Sequence, residues 1–475
     1  MRDHSAAAAP YVTLSHMRSL RIALCALLLL PLVALALYPP IAFDETLYHL
    51  PFVQAIARDD AIRWHSDLRF PVFPILHELL CVPAFLLGGG IATHFVALLE
   101  LILLAALLIR WGNRFAPHAG WLAAAMFLGS PLVVHLATIL YVDIALALCV
   151  AAGFYALDRE RYALAGLCFG AACSVKYLGF YFAAVAFVIV VVRCRKAIAA
   201  FCAAGAVTAL PTTLWIWINT GDPFFPFLKP SLWSLPAGPP LALAERVTRI
   251  ATLVWDVTFA RHRVGFEPPV TPFLAVLVAL TIAAAVRDAR ARWIAGLSAV
   301  YVFIFTFLPA DSRYLVPLLP LLSLIAATVV ARRWPKVTVL LAVLAIAPGI
   351  AYARYRFMGQ GRPPLTSSQR DAWIAANVPE YRALRRAGTE RVYACHAENL
   401  KAYAAGPFLG DHAGPWSYGR ILTGAATTRA LAARLRPLGV RYYLVAKHSC
   451  PPPRNDGGLE LVYEDPNAQL WRVPR

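Results

Sequence analysis

The residues best suited to chemistry form an acidic pair, Asp44 and Glu45, which follows the first long apolar run of the chain. Two adjacent carboxylates at the edge of an apolar segment are costly unless they stay hydrated or bind a ligand. Tyr48 lies three residues beyond the pair and adds a hydroxyl. A carboxylate within hydrogen-bond reach of a substrate hydroxyl can act as its general base. The alternative is that the pair simply begins a solvated acidic loop.

Three further groups of polar residues lie at the ends of apolar runs. Asp143 precedes one run, Lys176 interrupts another, and Arg313 and Tyr314 precede a third. Each has a structural alternative, because aspartate caps helix N-termini and a lysine at the membrane edge extends its ammonium group to water. The orientation derived below puts all of them on the same side of the membrane as Asp44. That arrangement favours one shared site.

Sugar transfer from a lipid phosphate fits this set of groups. It needs one carboxylate to take the acceptor proton and no general acid, because the phosphate leaves unprotonated, whereas glycoside hydrolysis uses two carboxylates. Cations or a metal ion must stabilise the charge that grows on the phosphate. We expect Asp44 or Glu45 to act as the base, and Lys176 and Arg313 to bind the phosphate. A divalent cation held by Asp44 and Asp143 is an alternative, and no other cofactor is expected.

The composition is that of a membrane protein. Of the 475 residues, 60% are hydrophobic and 15% are charged, whereas soluble domains have roughly 45–50% and about 25%. The apolar residues form uninterrupted runs, which excludes a soluble enzyme and favours membrane-spanning helices over a β-barrel. The net charge of +18 lies in short clusters between these runs. Membrane topology explains this placement, so a nucleic-acid partner is not expected.

A helix needs about 20 apolar residues to cross the hydrocarbon core, and about eleven runs meet or nearly meet this requirement. The runs at 163–175 and 178–192 are short and are expected to form a tight pair. The predicted spans are 20–38, 91–110, 119–137, 143–157, 163–175, 178–192, 197–218, 270–286, 293–308, 314–331 and 337–353.

Basic clusters follow alternate spans, which predicts the orientation of the chain. If these clusters are cytoplasmic, the N-terminus lies inside. Ala34-Leu35-Ala36 resembles the cleavage site of a signal peptide, but the long apolar run and the ten spans after it favour an uncleaved signal anchor. The outside then includes everything after residue 354 and the loops or turns at 39–90, 138–143, 176–177, 219–269 and 309–313. The clusters lie at 18–21, 110–114, 159–161, 193–196, 287–292 and 332–336.

The chain becomes polar after about residue 354. We expect residues 1–353 to form a transmembrane catalytic domain and residues 354–475 to form a small external α/β domain. Helices are predicted at 368–387 and 425–438, and strands at 391–395, 441–445, 459–463 and 469–473. Cys395 and Cys450 are the only cysteines of this domain. They could pair if that face is oxidising.

These residues, in this order and on one side of the membrane, resemble the GT-C superfamily of membrane glycosyltransferases, which use polyprenyl-phosphate sugars. The resemblance is closest to the bacterial branch related to protein mannosyltransferases and the lipid A aminoarabinose transferase, and it covers essentially all the spans. It implies that Asp44 is the catalytic base and that Glu45 supports it. The motifs that carry it are Asp44-Glu45 with Tyr48, Tyr141-Val-Asp143, Ser174-Val-Lys176-Tyr-Leu-Gly179, Gly221-Asp-Pro223-Phe-Phe-Pro226 and Arg313-Tyr314-x-x-Pro317-x-x-Pro320.

We therefore expect an inverting glycosyltransferase of the bacterial inner membrane, with a cytoplasmic N-terminus and a periplasmic C-terminal domain. It would move a hexose or pentose from a polyprenyl-phosphate donor to a hydroxyl group of a lipid, polysaccharide or protein. The residues expected to bind substrate are Tyr48, Asp143, Lys176, Arg313 and Tyr314.

Two other classes of protein are weighed against this expectation. A lipid or sugar transporter or flippase places charges near the bilayer midplane and often has internal repeats, whereas this chain gathers its charges at one edge. A non-catalytic membrane scaffold would not require acidic residues at that edge.

Overall fold

The computed structural model describes residues 29–234, 241–265 and 268–475. Helices fill the chain up to Gln360, and a small sheet with flanking helices follows. Residues 29–36 are helical, and the rest of the predicted first span lies outside the described residues. A π-helix, Glu45–His49, leads directly into the first numbered helix. The helices are α1 Leu50–Asp59, α2 Leu76–Gly112, α3 Ala119–Leu128, α4 Pro131–Leu136, α5 Asp143–Asp158, α6 Tyr162–Val175, α7 Gly179–Arg193, α8 Ile198–Thr220, α9 Leu243–Phe259, α10 Leu274–Ala285, α11 Ala289–Phe305, α12 Leu319–Arg333 and α13 Thr338–Gln360.

Several of these helices can cross a membrane. Within the described ranges, four segments are long and apolar enough by themselves: Leu76–Gly112, Arg195–Thr220, Ser312–Arg333 and Pro335–Gln360. Shorter apolar helices, α3, α6, α7 and α10, occupy other predicted spans. The chain is therefore a mostly helical, multi-pass membrane protein, while the number of eleven crossings stays a prediction.

The helix breaks have local causes. The predicted span 119–137 is divided between α3 and α4, because Ser130 is extended and its side chain accepts a hydrogen bond from the Val133 N–H to start the new helix. Helix α2 is interrupted at Gly88 and Gly89, and Gly89 has a φ of 68° that favours glycine. The residues before this break form a separate short helix. The predicted tight pair is present as α6 and α7, separated by Lys176 and Tyr177.

Helices α6 and α8 pack closely through glycines. A Cβ added to Gly166 would lie 2.1 Å from the carbonyl oxygen of Phe201, and one added to Gly170 would lie 2.2 Å from that of Gly205. Small residues allow such backbone contact between membrane helices. This contact fixes the end of α6 and hence the position of Lys176, which follows it.

The C-terminal domain is built on a five-stranded sheet with the order β2-β1-β3-β5-β4. Strand β1 is parallel to β2 and β3, whereas β5 is antiparallel to β3 and β4. All four predicted strands are present in this sheet. The strands are β1 Val392–Cys395, β2 Phe408–Leu409, β3 Tyr442–Ala446, β4 Glu460–Glu464 and β5 Ala468–Arg472.

Short helices flank this sheet. The predicted helix 368–387 is two helices, because Pro379 disfavours a helical conformation in the residue before it and Val378 is extended. The predicted helix 425–438 is shorter than expected and ends in a 3-10 turn, Arg436–Leu438. The helices are α14 Ser367–Asn377, α15 Tyr381–Ala387, α16 Tyr418–Ile421 and α17 Thr428–Leu435.

A 3-10 helix, Glu398–Tyr403, joins this domain to the first loop of the membrane domain. We call this contact region the seam. The Gln54 side chain of α1 donates to the carbonyl oxygen of Ala402 at 2.9 Å. Arg69 pairs with Glu398 at 3.4 Å and also with Asp411, and all three side chains are buried. The two domains are thus held together by charge pairing and by a hydrogen bond from a side chain to the backbone.

Cys395 and Cys450 form a disulfide that closes a sequence separation of 55 residues. Replacing both cysteines by serine should lower the free energy of unfolding of the C-terminal domain by about 4 kcal/mol, since the crosslink restricts the unfolded chain. Each protein would be made in a background in which Trp471 is the only tryptophan. Its fluorescence during denaturant unfolding of the full chain in detergent would measure the change. Cys202→Ser, at an exposed free cysteine, is the matched control. Equal stability of all three proteins would contradict the prediction.

Candidate active site

The two adjacent acidic side chains at the start of the π-helix Glu45–His49 have different environments. Asp44 stands at its N-terminal end and is 14% exposed, whereas Glu45 is fully buried. The Tyr48 hydroxyl donates to Asp44 Oδ2 at 3.1 Å, and the Tyr141 hydroxyl accepts from the Asp44 N–H at 3.2 Å. Asp44 therefore faces partly open space with its orientation fixed by two tyrosines.

Glu45 has a different environment. Its Oε1 accepts hydrogen bonds from His94 Nε2 at 2.6 Å and from the Leu140 N–H at 2.8 Å, and its Oε2 accepts from the Ala42 N–H at 3.1 Å. These bonds link the first loop to α2 and to the turn before α5. Glu45 thus positions the loop that carries Asp44.

Arg313 reaches Asp44 from a distant part of the chain. Its Nη2 lies 2.5 Å from Asp44 Oδ2, and its Nε lies 2.6 Å from Asp311 Oδ2. Asp311 also accepts the N–H of Arg313 at 3.0 Å and so caps the 3-10 helix Ser312–Leu318. The guanidinium carbon lies 4.8 Å from the centroid of the Tyr141 ring. Arg313 is thereby held between two carboxylates and an aromatic face.

A second ion pair lies beside the first. Lys176 Nζ binds Asp143 Oδ1 at 2.7 Å, while Asp143 Oδ2 is buried and has no hydrogen-bond partner among the described residues. The Lys176 ammonium group also lies 4.5 Å from the centroid of the Tyr314 ring, and the Arg313 guanidinium carbon lies 5.6 Å from the same ring. The Tyr314 ring therefore connects the two ion pairs. We call Asp44, Asp143, Lys176, Asp311, Arg313 and Tyr314 the charged cluster.

The loop 221–226 supports Lys176 through its neighbour Tyr177, whose hydroxyl donates to the carbonyl oxygen of Phe225 at 2.8 Å. Asp222 in that loop is buried and accepts hydrogen bonds from three backbone N–H groups, those of Phe224, Leu228 and Lys229. This motif therefore has a structural role in the folded loop, beside the charged cluster.

Electrostatics keeps Asp44 ionised. Burial acts to raise the pKa of Asp44, but the Arg313 guanidinium, with smaller effects of His49 and Tyr48, outweighs it and holds the pKa below its ordinary value. For Asp311 the balance is reversed, and burial raises its pKa despite the same guanidinium. The electrostatic support of Arg313 thus favours the Asp44 carboxylate.

The charged cluster contains three carboxylates and two cations. Within the described part of the chain, no group of three or more His, Cys, Asp or Glu side chains could hold a metal ion. Asp44 and Asp143 each already contact a cationic side chain. A divalent cation on these two residues stays a prediction, and no step below depends on it.

The sequence analysis missed some of the residues that complete the site. Tyr141 lies inside the quoted motif that ends at Asp143. Asp311 lies two residues before Arg313, and an acid so close to an arginine was the available signal. Buried histidine–glutamate contacts behind the first loop had no local signal. They are His49–Glu78 at 2.5 Å, His77–Glu100 at 3.0 Å and His94–Glu45 at 2.6 Å.

Comparison with solved structures identifies the fold. The crystal structure of ArnT from Cupriavidus metallidurans bound to undecaprenyl phosphate is similar with a TM-score of 0.62 and 14% identity, over 96% of this chain and 98% of that one. Its apo state gives a TM-score of 0.63 and 13% identity, over 97% and 98%. The structure of the arabinofuranosyltransferase AftD from Mycobacteria has a TM-score of 0.47 and 17% sequence identity to this chain. The match covers 96% of this chain and 41% of AftD. The chain therefore has the fold of the ArnT structures.

The family follows from sequence. The model of glycosyltransferase family 87 matches residues 72–309, half of the chain, and the protein belongs to this family. A separate family model matches residues 369–472, within the C-terminal domain. A search of curated protein sequences found no match. The protein is therefore a membrane glycosyltransferase.

The Glu45 contacts generate a stability prediction. Glu45→Gln should lower the free energy of unfolding by about 1–3 kcal/mol, because one amide oxygen cannot accept from both sides and a buried N–H group loses its partner. Denaturation of the purified chain in mixed micelles measures this. Glu390→Gln, at an exposed glutamate of the C-terminal domain, is the control and should unfold like the wild type. Unchanged stability of Glu45→Gln would show that the loop does not depend on these hydrogen bonds.

Proposed function

We propose that this chain is an inverting glycosyltransferase that moves a sugar from a polyprenyl-phosphate donor to a hydroxyl group on the external face of the inner membrane. In this proposal Asp44 is the catalytic base, Glu45 positions it, and Lys176 and Arg313 bind the donor phosphate. Tyr48, Asp143 and Tyr314 hold these groups in place. The acceptor hydroxyl belongs to a lipid, a polysaccharide or a protein.

One observation carries the proposal: the Asp44 carboxylate is partly exposed and paired with Arg313, and a second cation, Lys176, lies against the same Tyr314 ring as that guanidinium. Within the described residues, both hydrogen bonds that Asp44 accepts, from Tyr48 and Arg313, fall on Oδ2. Oδ1 is therefore the oxygen available to an acceptor hydroxyl. Arg313 and Lys176 supply positive charge, which a departing phosphate requires.

The reaction is a single displacement. The acceptor oxygen attacks the anomeric carbon while its proton passes to Asp44 Oδ1, and the bond from that carbon to the phosphate oxygen breaks. The electron pair of this bond leaves with the polyprenyl phosphate, next to the two cations. Attack opposite to the leaving group inverts the configuration at the anomeric carbon. No acid is needed, because the phosphate leaves as an anion.

Three observations support the identity of the donor and the orientation of the chain. The similar structure of ArnT was solved with undecaprenyl phosphate, a polyprenyl phosphate. The Cys395–Cys450 disulfide suits an oxidising compartment, which agrees with a periplasmic C-terminal domain. The basic clusters between the spans agree with a cytoplasmic N-terminus.

The base assignment predicts that Asp44→Asn abolishes transfer, because the amide cannot accept the proton, while membrane abundance is retained. Mass spectrometry of envelope lipids and glycans would compare cells that make the wild type, Asp44→Asn or no protein. The variant should match the deletion strain: one sugar is missing from a defined acceptor, and the charged donor accumulates.

Asp60→Asn is the matched control. Asp60 is exposed in the same loop, and its φ of 48° suits asparagine. This variant should give the wild-type glycan profile. If Asp44→Asn also gave that profile at equal abundance, Asp44 would not be the base.

The Arg313 contact predicts a pH effect. Because the pKa of Asp44 is held below its ordinary value of about 3.9, the base is ionised at pH 5 and above, and wild-type kcat/KM should be free of an acid limb there. In Arg313→Gln burial prevails and the pKa of Asp44 rises. Since the base works only when deprotonated, kcat/KM should then fall as the pH is lowered from about 8 to 5.

Initial rates across this pH range, normalised to the rate at pH 8, measure the effect. Arg382→Gln, at an exposed arginine of the C-terminal domain, should keep the wild-type profile. Profiles of the same shape in wild type and Arg313→Gln would refute the electrostatic role of Arg313.

A further inference from the structure

A second feature of the described structure lies apart from the charged cluster. A cavity of about 870 Å³ opens between α1, the loop 65–68 and the C-terminal domain, along the seam. On α1 it is lined by residues 51, 54, 55 and 58, which share one face of the helix. Of the lining residues on this helix, Pro51 is the nearest in sequence to Asp44. The two are seven positions apart, or roughly 10 Å along the helix axis.

Lys401 is the most unusual residue of this cavity. Its side chain is 7% exposed, and its Nζ makes no hydrogen bond to any described residue. Asp67, which also lines the cavity, is its ion-pair partner, with Oδ2 3.6 Å from Nζ, too far for a hydrogen bond. A buried ammonium group has three donors, and leaving them unmet costs free energy. A ligand with anionic oxygens would meet them.

Other lining residues narrow the chemistry of the ligand. Arg58 and Arg391 add two exposed guanidinium groups at the rim, which suit phosphate oxygens. Trp416 presents a half-buried aromatic surface, on which the apolar face of a sugar ring can pack. Phe85 and Leu86, just before the Gly88–Gly89 break in α2, give the cavity an apolar border. The cavity thus combines cations, an aromatic ring and an apolar edge.

We propose that this cavity binds a phosphorylated saccharide and thereby holds the acceptor at a distance from the transfer site, with Lys401 as the buried phosphate ligand. The inference rests on the proposed function, because it assigns the ligand to the acceptor of the transfer reaction. It names the acceptor by class, as a saccharide that carries a phosphate group.

Binding can be tested before the natural acceptor is known. The full chain in phosphatidylcholine nanodiscs would be titrated with glucose 1-phosphate by saturation-transfer difference NMR, with glucose and inorganic phosphate as competitors. Lys401→Met should weaken binding of glucose 1-phosphate by about tenfold or more, the loss of a charge-assisted hydrogen bond. Arg58→Gln should also weaken binding of glucose 1-phosphate. Because Arg58 is exposed, this variant tests the cavity even if Lys401→Met misfolds. Glucose alone and inorganic phosphate alone should each bind more weakly than glucose 1-phosphate.

Lys176→Ala separates this cavity from the charged cluster, because the same probe could bind the proposed donor phosphate site. Binding that is lost in Lys401→Met and kept in Lys176→Ala supports the inference. No binding to the wild type, equal binding to wild type and Lys401→Met, or an equal or greater loss in Lys176→Ala would overturn it. Inorganic phosphate that binds as well as glucose 1-phosphate would also overturn it.

Failure of this inference is distinguishable from failure of the proposed function. Sugar transfer in cells, abolished by Asp44→Asn, tests the proposed function without reference to the cavity. If transfer depends on Asp44 but Lys401→Met binds glucose 1-phosphate normally, only the cavity assignment fails.

Discussion

The Arg313 guanidinium group joins two carboxylates that lie far apart in the chain, Asp44 in the first loop and Asp311 before α12. An unpaired charge buried at this edge would carry a desolvation penalty of several kcal/mol. If the two loops moved apart, Asp44 would lose its cationic partner, whereas Arg313 would keep Asp311 of its own loop. The pair of Asp143 and Lys176 imposes the same condition on the ends of α5 and α6. Charge pairing, more than any single helix contact, sets the geometry at this side of the bundle.

This dependence also explains the separate duties of the two adjacent acids. Glu45 is fully buried and satisfied by His94 and two backbone N–H groups, so it fixes the loop. Asp44 remains partly exposed and has one oxygen without a described partner. Neighbouring residues on a tight helical turn point in different directions, which lets one carboxylate hold the loop while the next one faces the substrate side.

Much of this arrangement could be predicted because the membrane supplies a common plane. Asp44, Asp143, Lys176 and Arg313 each lie at the end of an apolar run, and the basic clusters put those ends on one side. The sequence does not contain the lateral order of the helices. The contact between Arg313 and Asp44 spans 269 positions and depends on that order. The apolar pattern also could not reveal breaks such as the one at Ser130, where a single side chain starts a new helix.

The histidine–glutamate contacts were out of reach for the same reason. His49 and Glu78 lie on different helices, and nothing in their local sequence marks them as partners. Strand prediction in the C-terminal domain succeeded because alternation and turn residues are local signals. The helix before it was predicted as one segment because the effect of Pro379 on Val378 was not weighed. Local rules thus gave the elements, and long-range pairing decided the site.

The seam has a consequence for the biogenesis of the protein. Its C-terminal side follows every helix of the membrane bundle in the chain. The residues on that side are Ala402, which binds Gln54, and Glu398 and Asp411, which bind Arg69. A nascent chain that has already inserted all of these helices carries every residue of the charged cluster but lacks the C-terminal domain, which packs against α1 at the seam. The contact between that domain and α1 forms only after translation has passed the bundle and the domain has folded. Maturation of the enzyme therefore has a built-in order, in which the chemistry is assembled first and the enclosure last.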